Sequence, residues 1–277
     1  MTTSPEQDIA QDRAVSGLVV AGLSVVIGKT TIISETSFEA RAGELLAVIG
    51  PSGSGKTTLL RAITGEVAYR GTISLAGQEV RHLSPRTQAS MRGVLPQASF
   101  LSFPLTVSEV VALGLDNSSA DRGWRSNRVK EALERVGLSG FGGRTYQDLS
   151  GGEQQRTHLA RVLCQVWDPV SETGTARWLF LDEPVSSLDI KHQYQIMQLA
   201  KDYASRGGGV VAVLHDLNLT ASFSDRCLVM KSGRPMSLGA TREVLHADLL
   251  SRTYDIALTR SETADGQSYF LPELQSS

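Results

Sequence analysis

Short apolar runs alternate with helical patterns along most of this chain. Near the start, β-rich residues over Leu18–Ile27 and Thr30–Phe38 flank a glycine turn and predict a hairpin. The apolar run Glu44–Ile49 ends at a glycine and predicts a buried strand. A helix from Lys56 to about Thr64 and an exposed strand over Gly71–Gly77 are predicted to follow.

The middle of the chain, about residues 84–165, is predicted to be helical. Four apolar residues recur with the spacing of one helix face: Val129, Ala132, Leu133 and Val136. Gly137 is a suitable stop for that helix, and Glu153–Val166 predicts another. Residues 168–176 have the composition of a loop.

Strands and helices alternate again in the last third. Apolar runs predict three strands, and helical patterns lie between them. The strands are Trp178–Leu181, Gly209–Leu214 and Cys227–Met230, and the helices are Ile190–Ala204 and Leu217–Phe223. This alternation predicts an α/β fold with a mainly parallel sheet.

Composition narrows the classes of function. The chain has 277 residues, enough for one or two domains, with 41% apolar and 20% charged residues. Its formal net charge of −2 gives no overall basic surface for nucleic acid. Cys164 and Cys227 lie in apolar stretches, so we expect buried thiols rather than a disulfide or a metal site.

Neither a secretory signal nor a membrane span is predicted. The first residues are polar and acidic, and no stretch approaches the roughly 20 apolar residues that cross a bilayer. We therefore expect a soluble, cytoplasmic chain whose role at a membrane, if it has one, comes through a partner.

A glycine-rich loop between a predicted strand and a predicted helix matches the pattern G-x-x-x-x-G-K-[ST]. Its residues are Gly50, Pro51, Ser52, Gly53, Ser54, Gly55, Lys56 and Thr57, followed by Thr58. Such a loop turns its N–H groups toward phosphates at a helix N-terminus. The motif predicts that Lys56 bridges the β- and γ-phosphates of a nucleotide and that Thr57 ligates Mg²⁺.

Two acids end the apolar strand that begins at Trp178. Asp182 is placed to hold Mg²⁺ through water, and Glu183 is placed to polarise an attacking water. An acidic pair alone could be a helix cap; together with the phosphate loop it predicts a nucleotide-hydrolysing site.

A second glycine motif, Leu149-Ser-Gly-Gly-Glu-Gln-Gln-Arg156, resembles the signature of ABC ATPases. Across about residues 17–254 the resemblance implies a P-loop NTPase fold of the ABC type, with a mainly parallel core, an antiparallel β subdomain and a helical signature subdomain at about 98–165. Residues 1–16 would then be a flexible N-terminus and 255–277 a C-terminal extension.

The resemblance also implies a site shared by two chains. The signature residues Ser150, Gly151, Gly152 and Glu153 would contact the γ-phosphate held by the other subunit of a head-to-tail homodimer that encloses ATP. Further family motifs are Gln97 as a Mg²⁺ contact, Asp189 in the loop that crosses between subunits, and His215 as the switch histidine. Thr57, Gln97 and Asp182 would hold the metal; Lys56, Gln97, Glu183 and His215 would act in catalysis.

One family feature is missing. Many relatives stack an aromatic side chain on adenine, and counting back from the phosphate loop places that role near Val25–Ile27. The residues there, Val25, Val26 and Ile27, are all aliphatic. They can cover the base but lose stacking worth on the order of 1 kcal/mol.

Several stretches resemble the haem-importer branch of ABC importers. They are Arg92–Gln97, Phe103–Gly114, Tyr146–Arg161, residues 168–176 and Gly209–Leu219. The resemblance implies a bacterial importer at the cytoplasmic face of the inner membrane, with two permease subunits and a periplasmic haem-binding protein. It implies no nucleic-acid partner and no direct contact between this chain and its cargo.

Two alternatives remain open at this stage. A ferric siderophore or cobalamin importer would share the same motifs. A soluble ABC ATPase acting on ribosomes or DNA is less favoured, because the chain has one ATPase unit and neither a long coiled-coil insertion nor a basic tail.

Overall fold

The computed structural model describes residues 17–97, 101, 103–115, 121–264 and 266–273. The strands are β1 (Leu18–Ile27), β2 (Thr30–Ala40), β3 (Leu45–Ile49), β4 (Arg70–Leu75), β5 (Gln78–Glu79), β6 (Arg92–Leu95), β7 (Trp178–Asp182), β8 (Gly209–Val213), β9 (Arg226–Lys231), β10 (Arg234–Ala240), β11 (Leu258–Glu262) and β12 (Ser268–Pro272). The helices are α1 (Lys56–Ile63), α2 (Pro85–Met91), α3 (Val107–Ala112), α4 (Arg122–Arg135), α5 (Gly151–Gln165), α6 (Ile190–Ser205), α7 (Leu217–Phe223), α8 (Thr241–Val244) and α9 (Ala247–Tyr254).

A six-stranded sheet in the order β10-β9-β3-β8-β7-β6 forms the centre of the fold. All neighbours pair in parallel except β10 and β9. Strands β3, β7 and β8 are buried along their whole length, because both faces of the sheet are covered. Alternate residues serve two cores: Leu45 belongs to one and Leu46 to the other. The predicted parallel α/β fold is confirmed.

A second sheet, β2-β1-β4-β5, is antiparallel and contains the predicted hairpin. Its inner residues, such as Leu23 and Ile33, share a core with Leu46, Val48 and α1. This sheet therefore lies over the helix that follows the phosphate loop.

The prediction of a wholly helical middle was wrong at β6. Arg92–Leu95 is a strand that pairs in parallel with β7 at the edge of the central sheet. A β-carbon at Gly93 would lie 2.6 Å from Val162 Cγ1, so glycine lets α5 pack closely on this strand. A four-residue strand is too short for periodicity to separate it from a helix.

Other local predictions agree with the structure. Helix α4 ends before Gly137, whose φ of +71° suits a helix stop. The helix predicted over Glu153–Val166 is α5, which begins two residues earlier. In the predicted loop at 168–176, Val170 and Ala176 form an isolated β-bridge.

The last part of the chain has more structure than its sequence suggested. Strand β10, helices α8 and α9, and the hairpin β11–β12 follow β9. None of the helices in the described ranges is long and apolar enough to cross a bilayer. The prediction of a flexible segment over 1–16 lies outside the described residues.

Candidate functional site

The phosphate loop connects β3 to α1 and lies against two other segments. A β-carbon at Gly50 would sit 2.1 Å from the carbonyl oxygen of Met230, and one at Gly55 would sit 2.6 Å from Ile33 Cδ1. Both glycines have positive φ, of 149° and 96°. The loop therefore needs glycine at these two positions for its shape and for its packing.

Lys56 is folded into this loop. Its Nζ donates hydrogen bonds to the carbonyl oxygens of Gly50, at 2.8 Å, and Pro51, at 3.0 Å, and the residue is 5% exposed. Burial lowers the pKa of Lys56, while the negative charges of Glu183 and Asp182 act in the opposite direction. A cation is thus held inside a ring of backbone groups.

A polar atom nearby has no protein partner. Ser54 Oγ is buried, the residue being 2% exposed, and no group in the described residues hydrogen-bonds it. Buried polar atoms without a partner are rare in proteins. Together with Lys56 and the start of α1, this hydroxyl makes the loop fit an anionic group.

Thr57, in the first turn of α1, meets Asp182 at the carboxyl end of β7. Thr57 Oγ1 donates to Asp182 Oδ1 at 3.0 Å. Burial raises the pKa of Asp182 to about 6, against the effect of that hydrogen bond. Gln97 lines the same cavity of about 280 Å³.

These three side chains fit Mg²⁺ rather than a metal held by protein alone. They offer one hydroxyl, one carboxylate and one amide, which are the oxygen ligands that Mg²⁺ accepts while keeping waters and phosphates. The described ranges contain no cluster of three or more His, Cys, Asp and Glu side chains that could hold an ion. A bound phosphate would have to supply the remaining ligands.

Glu183 and His215 are paired after β7 and β8. His215 Nε2 and Glu183 Oε1 are 2.6 Å apart. Glu183 has a φ of +50°, in a region of backbone conformation that residues other than glycine rarely adopt. Its backbone is held there by its own N–H, which donates to Val213 O, and by Gln155 Nε2, which donates to Glu183 O. Such strain, fixed by neighbours, is typical of functional sites.

The signature motif forms the exposed start of α5. Ser150 Oγ accepts from the backbone N–H of Glu153 at 3.3 Å, and Glu153 Oε2 accepts from the backbone N–H of Ser150 at 2.8 Å. This is a reciprocal capping box, and its hydrogen bonds from Ser150 lower the pKa of Glu153. Gly152 leaves room for the carbonyl oxygen of Ser187, which a β-carbon would approach to 2.8 Å.

The signature motif and the phosphate loop are separate within the chain. In the part that the structure describes, no hydrogen bond of Ser150 or Glu153 reaches residues 50–57. The signature residues lie instead beside the segment before α6, which Asp189 caps by accepting from the N–H of His192 at 2.9 Å. The predicted site residues therefore form two groups: Lys56, Thr57, Gln97, Asp182, Glu183 and His215 in one, and Ser150, Gly151, Gly152, Glu153 and Asp189 in the other.

The remaining predicted positions differ in exposure. Ser52 and Gly53 are exposed at the tip of the phosphate loop, and Thr58 is half-buried in α1. At the expected adenine position, Val25 is 1% exposed and belongs to the core, whereas Val26 and Ile27 are each 53% exposed. The last two alone are free to cover a base.

One residue that the sequence analysis did not select supports the phosphate loop. The N–H of Gly233, in the turn between β9 and β10, donates to Ser54 O at 3.0 Å, and Gly233 O accepts from the N–H of Ser34. A β-carbon at Gly233 would lie 2.1 Å from Ile32 O. The serine–glycine pair in Lys231-Ser-Gly-Arg234 is typical of a turn, but nothing in it indicates this contact.

The sequence of this chain is similar to those of known proteins. The family model described as ABC transporter matches residues 33–186. The hemin import ATP-binding protein HmuV of Mesorhizobium japonicum is 55% identical over 238 residues, covering 85% of this chain and 90% of that protein. HmuV of Rhizobium johnstonii is 52% identical over 256 residues, or 91% and 96% of the two chains.

The fold of this chain is similar to that of a solved structure. The ATP-binding cassette MJ0796, a dimer in a post-hydrolysis state bound to ADP and Pi, superposes with a TM-score of 0.71 at 27% identity. The match covers 81% of this chain and 99% of that one.

Proposed function

The chain belongs to the ABC transporter family of ATP-binding proteins, and we propose that it powers haem (hemin) uptake as the ATPase subunit of a bacterial importer. The assignment of haem as the cargo rests on sequence identity. The chain is 55% and 52% identical to two hemin import ATP-binding proteins, over 90% and 96% of their lengths. The buried phosphate loop and the Glu183–His215 pair supply the hydrolytic site that such a subunit requires.

Binding of ATP begins at the phosphate loop. We propose that the ammonium of Lys56 exchanges the carbonyls of Gly50 and Pro51 for the β- and γ-phosphates, which are stronger acceptors because they are charged. The loop amides, Ser54 Oγ and Thr58 complete the contacts. Val26 and Ile27 cover the adenine.

Thr57, Gln97 and Asp182 are proposed to hold Mg²⁺. The ion supplies positive charge to the phosphoryl oxygens when bound. Burial raises the pKa of Asp182, so a divalent ion beside this carboxylate would stabilise its charged form. Its hydrogen bond from Thr57 Oγ1 keeps the two proposed ligands together, one at the start of α1 and one at the end of β7.

Glu183 is proposed to orient and polarise the attacking water. His215 contacts the Glu183 carboxylate at 2.6 Å, and we propose that it also contacts the γ-phosphate. Because phosphoryl transfer needs positioning and charge stabilisation more than covalent chemistry, the fixed backbone of Glu183 is central to the rate.

The complete site is proposed to contain two copies of this chain. Ser150 and Gly151 are exposed at a helix N-terminus, which attracts anions, yet they lie apart from the phosphate loop of their own chain. In a head-to-tail homodimer, the signature residues and Asp189 of one copy cover the ATP of the other. The dimeric, ADP-bound state of the similar cassette supports this arrangement.

The ATPase unit is proposed to span residues 17–254, with a helical subdomain at about 98–165. The importer would contain two copies of the chain on the cytoplasmic face of the inner membrane, two permease subunits, and a periplasmic haem-binding protein reached through the permease.

Growth on haem tests the proposed cargo. In a bacterium that lacks its own hemin import ATP-binding subunit, this chain should restore growth on hemin as the sole iron source, and Glu183→Gln should not. Transport into vesicles that hold the assembled importer should require hemin and ATP. Uptake of a ferric siderophore or cobalamin without uptake of hemin would contradict the cargo assignment.

A further inference from the structure

The C-terminal hairpin packs its inner face on helix α7. In the antiparallel pairing of β11 with β12, Arg260 lies opposite Phe270. Phe270 is 4% exposed and belongs to the same core as Leu219 and Phe223 of α7, whereas the next residue, Leu271, is 52% exposed. Within β12, Phe270 therefore faces the core and Leu271 faces away from it.

A hydrogen bond joins the two elements directly. The backbone N–H of Phe270 donates to Asn218 Oδ1 in the first turn of α7, at 2.8 Å. The partners are 52 residues apart along the chain. The side chain of Asn218, in α7, thus satisfies a backbone N–H group at the edge of β12.

Two further contacts anchor the hairpin from behind. The N–H of Leu258 donates to Ser251 Oγ at 2.9 Å, which attaches β11 to α9. Arg260 donates to the carbonyl oxygens of Arg242 and Leu245 at the end of α8, each at 3.4 Å. Since the hairpin is tied to α8 and α9, it can resist movement of α7.

Helix α7 begins at Leu217, two residues after His215 and directly after its N-cap, Asp216. Asp216 Oδ1 accepts from the N–H groups of Asn218, at 2.7 Å, and Leu219, at 2.9 Å. His215 directly precedes this cap. Helix α7 has only seven residues. Because Asp216 is hydrogen-bonded to its first turn, a shift of that turn moves Asp216 and the adjacent His215 with it.

We propose that the C-terminal hairpin is a positioning element for ATP hydrolysis, acting through Asn218 and Phe270 on α7 and thereby on His215. The proposal rests on the proposed ATPase function. It concerns turnover rather than nucleotide binding, because the phosphate loop is supported elsewhere, by Gly233 and β2. Asn218 and Phe270 are positioning residues and touch no reacting atom.

Substitution at Asn218 tests the hydrogen bond. Asn218→Ala in the full chain should lower kcat by about 3- to 10-fold, the effect of losing one hydrogen bond from the active geometry. The KM for ATP should not change. Asn218→Asp keeps the acceptor oxygen and should restore kcat toward the wild-type value, which a residue needed only for folding would not explain.

Substitution within β12 tests the packing. Phe270→Ala should lower kcat at constant KM, whereas Leu271→Ala, one residue away on the exposed side, should leave both unchanged. If Phe270→Ala fails to fold, the Asn218 pair decides. Unchanged kcat in Asn218→Ala, or a loss that Asn218→Asp does not recover, would overturn the inference. A wild-type chain without ATPase activity would overturn the proposed function instead.

Discussion

The phosphate loop and the signature motif are both glycine-rich starts of helices, yet their surroundings differ. The phosphate loop is packed against Met230, Ile33 and Gly233, and it contains a buried lysine. The signature motif is exposed at Ser150 and Gly151, and its cap is satisfied by its own Glu153. One helix start is thus packed around a buried lysine, and the other is exposed to solvent.

The two helix starts also differ in the charge of the side chains beside them. Lys56 adds a cation to the partial positive charge of the α1 N-terminus, so the phosphate loop attracts a polyphosphate by itself. At the signature motif, the carboxylate of Glu153 already occupies the N-terminus of α5. In the proposed head-to-tail homodimer, that end would contribute only when ATP is brought to it by another copy of the chain.

The largest effect should follow from removing the cation of the phosphate loop. Lys56→Ala should reduce ATP affinity and turnover by more than about 100-fold, because charge-assisted hydrogen bonds to phosphate are lost in a buried setting. ATP binding by calorimetry and phosphate release measure both. Lys191→Ala, an exposed lysine at the start of α6, is the control. Normal binding by Lys56→Ala would remove the distinction between the two helix starts.

Mixing two inactive variants tests whether the site is shared. Lys56→Ala and Ser150→Arg should each be inactive, but their heterodimer has one intact site, made of the Ser150→Arg chain's phosphate loop and the other chain's signature. An equal mixture should recover about a quarter of wild-type ATPase activity if sites act independently. Mixing after dissociation of the dimers, with each variant alone as control, measures it. No recovery would contradict the shared site.

An aromatic residue at position 27 should strengthen the proposed contact with adenine. Ile27→Tyr should tighten ATP binding by about 2- to 10-fold, through stacking of order 0.5–1.5 kcal/mol. Ile27→Leu keeps an aliphatic surface and should leave the Kd for ATP unchanged. If tyrosine has no effect, residue 27 does not lie at the base.

The smallest effect on ATP turnover is expected behind the signature motif, from His158 in α5, whose titration acts on stability instead. Its Nε2 is 2.8 Å from the hydroxyl of Tyr146, and burial lowers its pKa from 6.5 to about 4. Because the unfolded chain takes up the proton more readily, stability should fall as the pH drops from 6.5 to about 4, by at most about 1.4 kcal/mol per pH unit. Urea unfolding should show a steeper loss of stability with falling pH in the wild type than in His158→Gln, because carboxylates such as Glu153 titrate in both chains. Parallel curves would contradict it.

The sequence by itself determined the chemistry of the phosphate loop and the signature motif. Each is a contiguous string whose backbone shape depends on its own glycines, so the residues from Gly50 to Thr57 and from Ser150 to Glu153 could be named without a structure. The acids at 182 and 183 followed from a buried strand that ends in two carboxylates.

Only the tertiary structure decided the contacts between distant segments. It buried Val25 while leaving Val26 and Ile27 exposed, and it placed Gly233 against the phosphate loop and Phe270 against Asn218. None of these residues has a local pattern that predicts its partner. Such contacts arise when packing brings separate elements together. The sequence around a single glycine or phenylalanine does not indicate which distant residue it will contact.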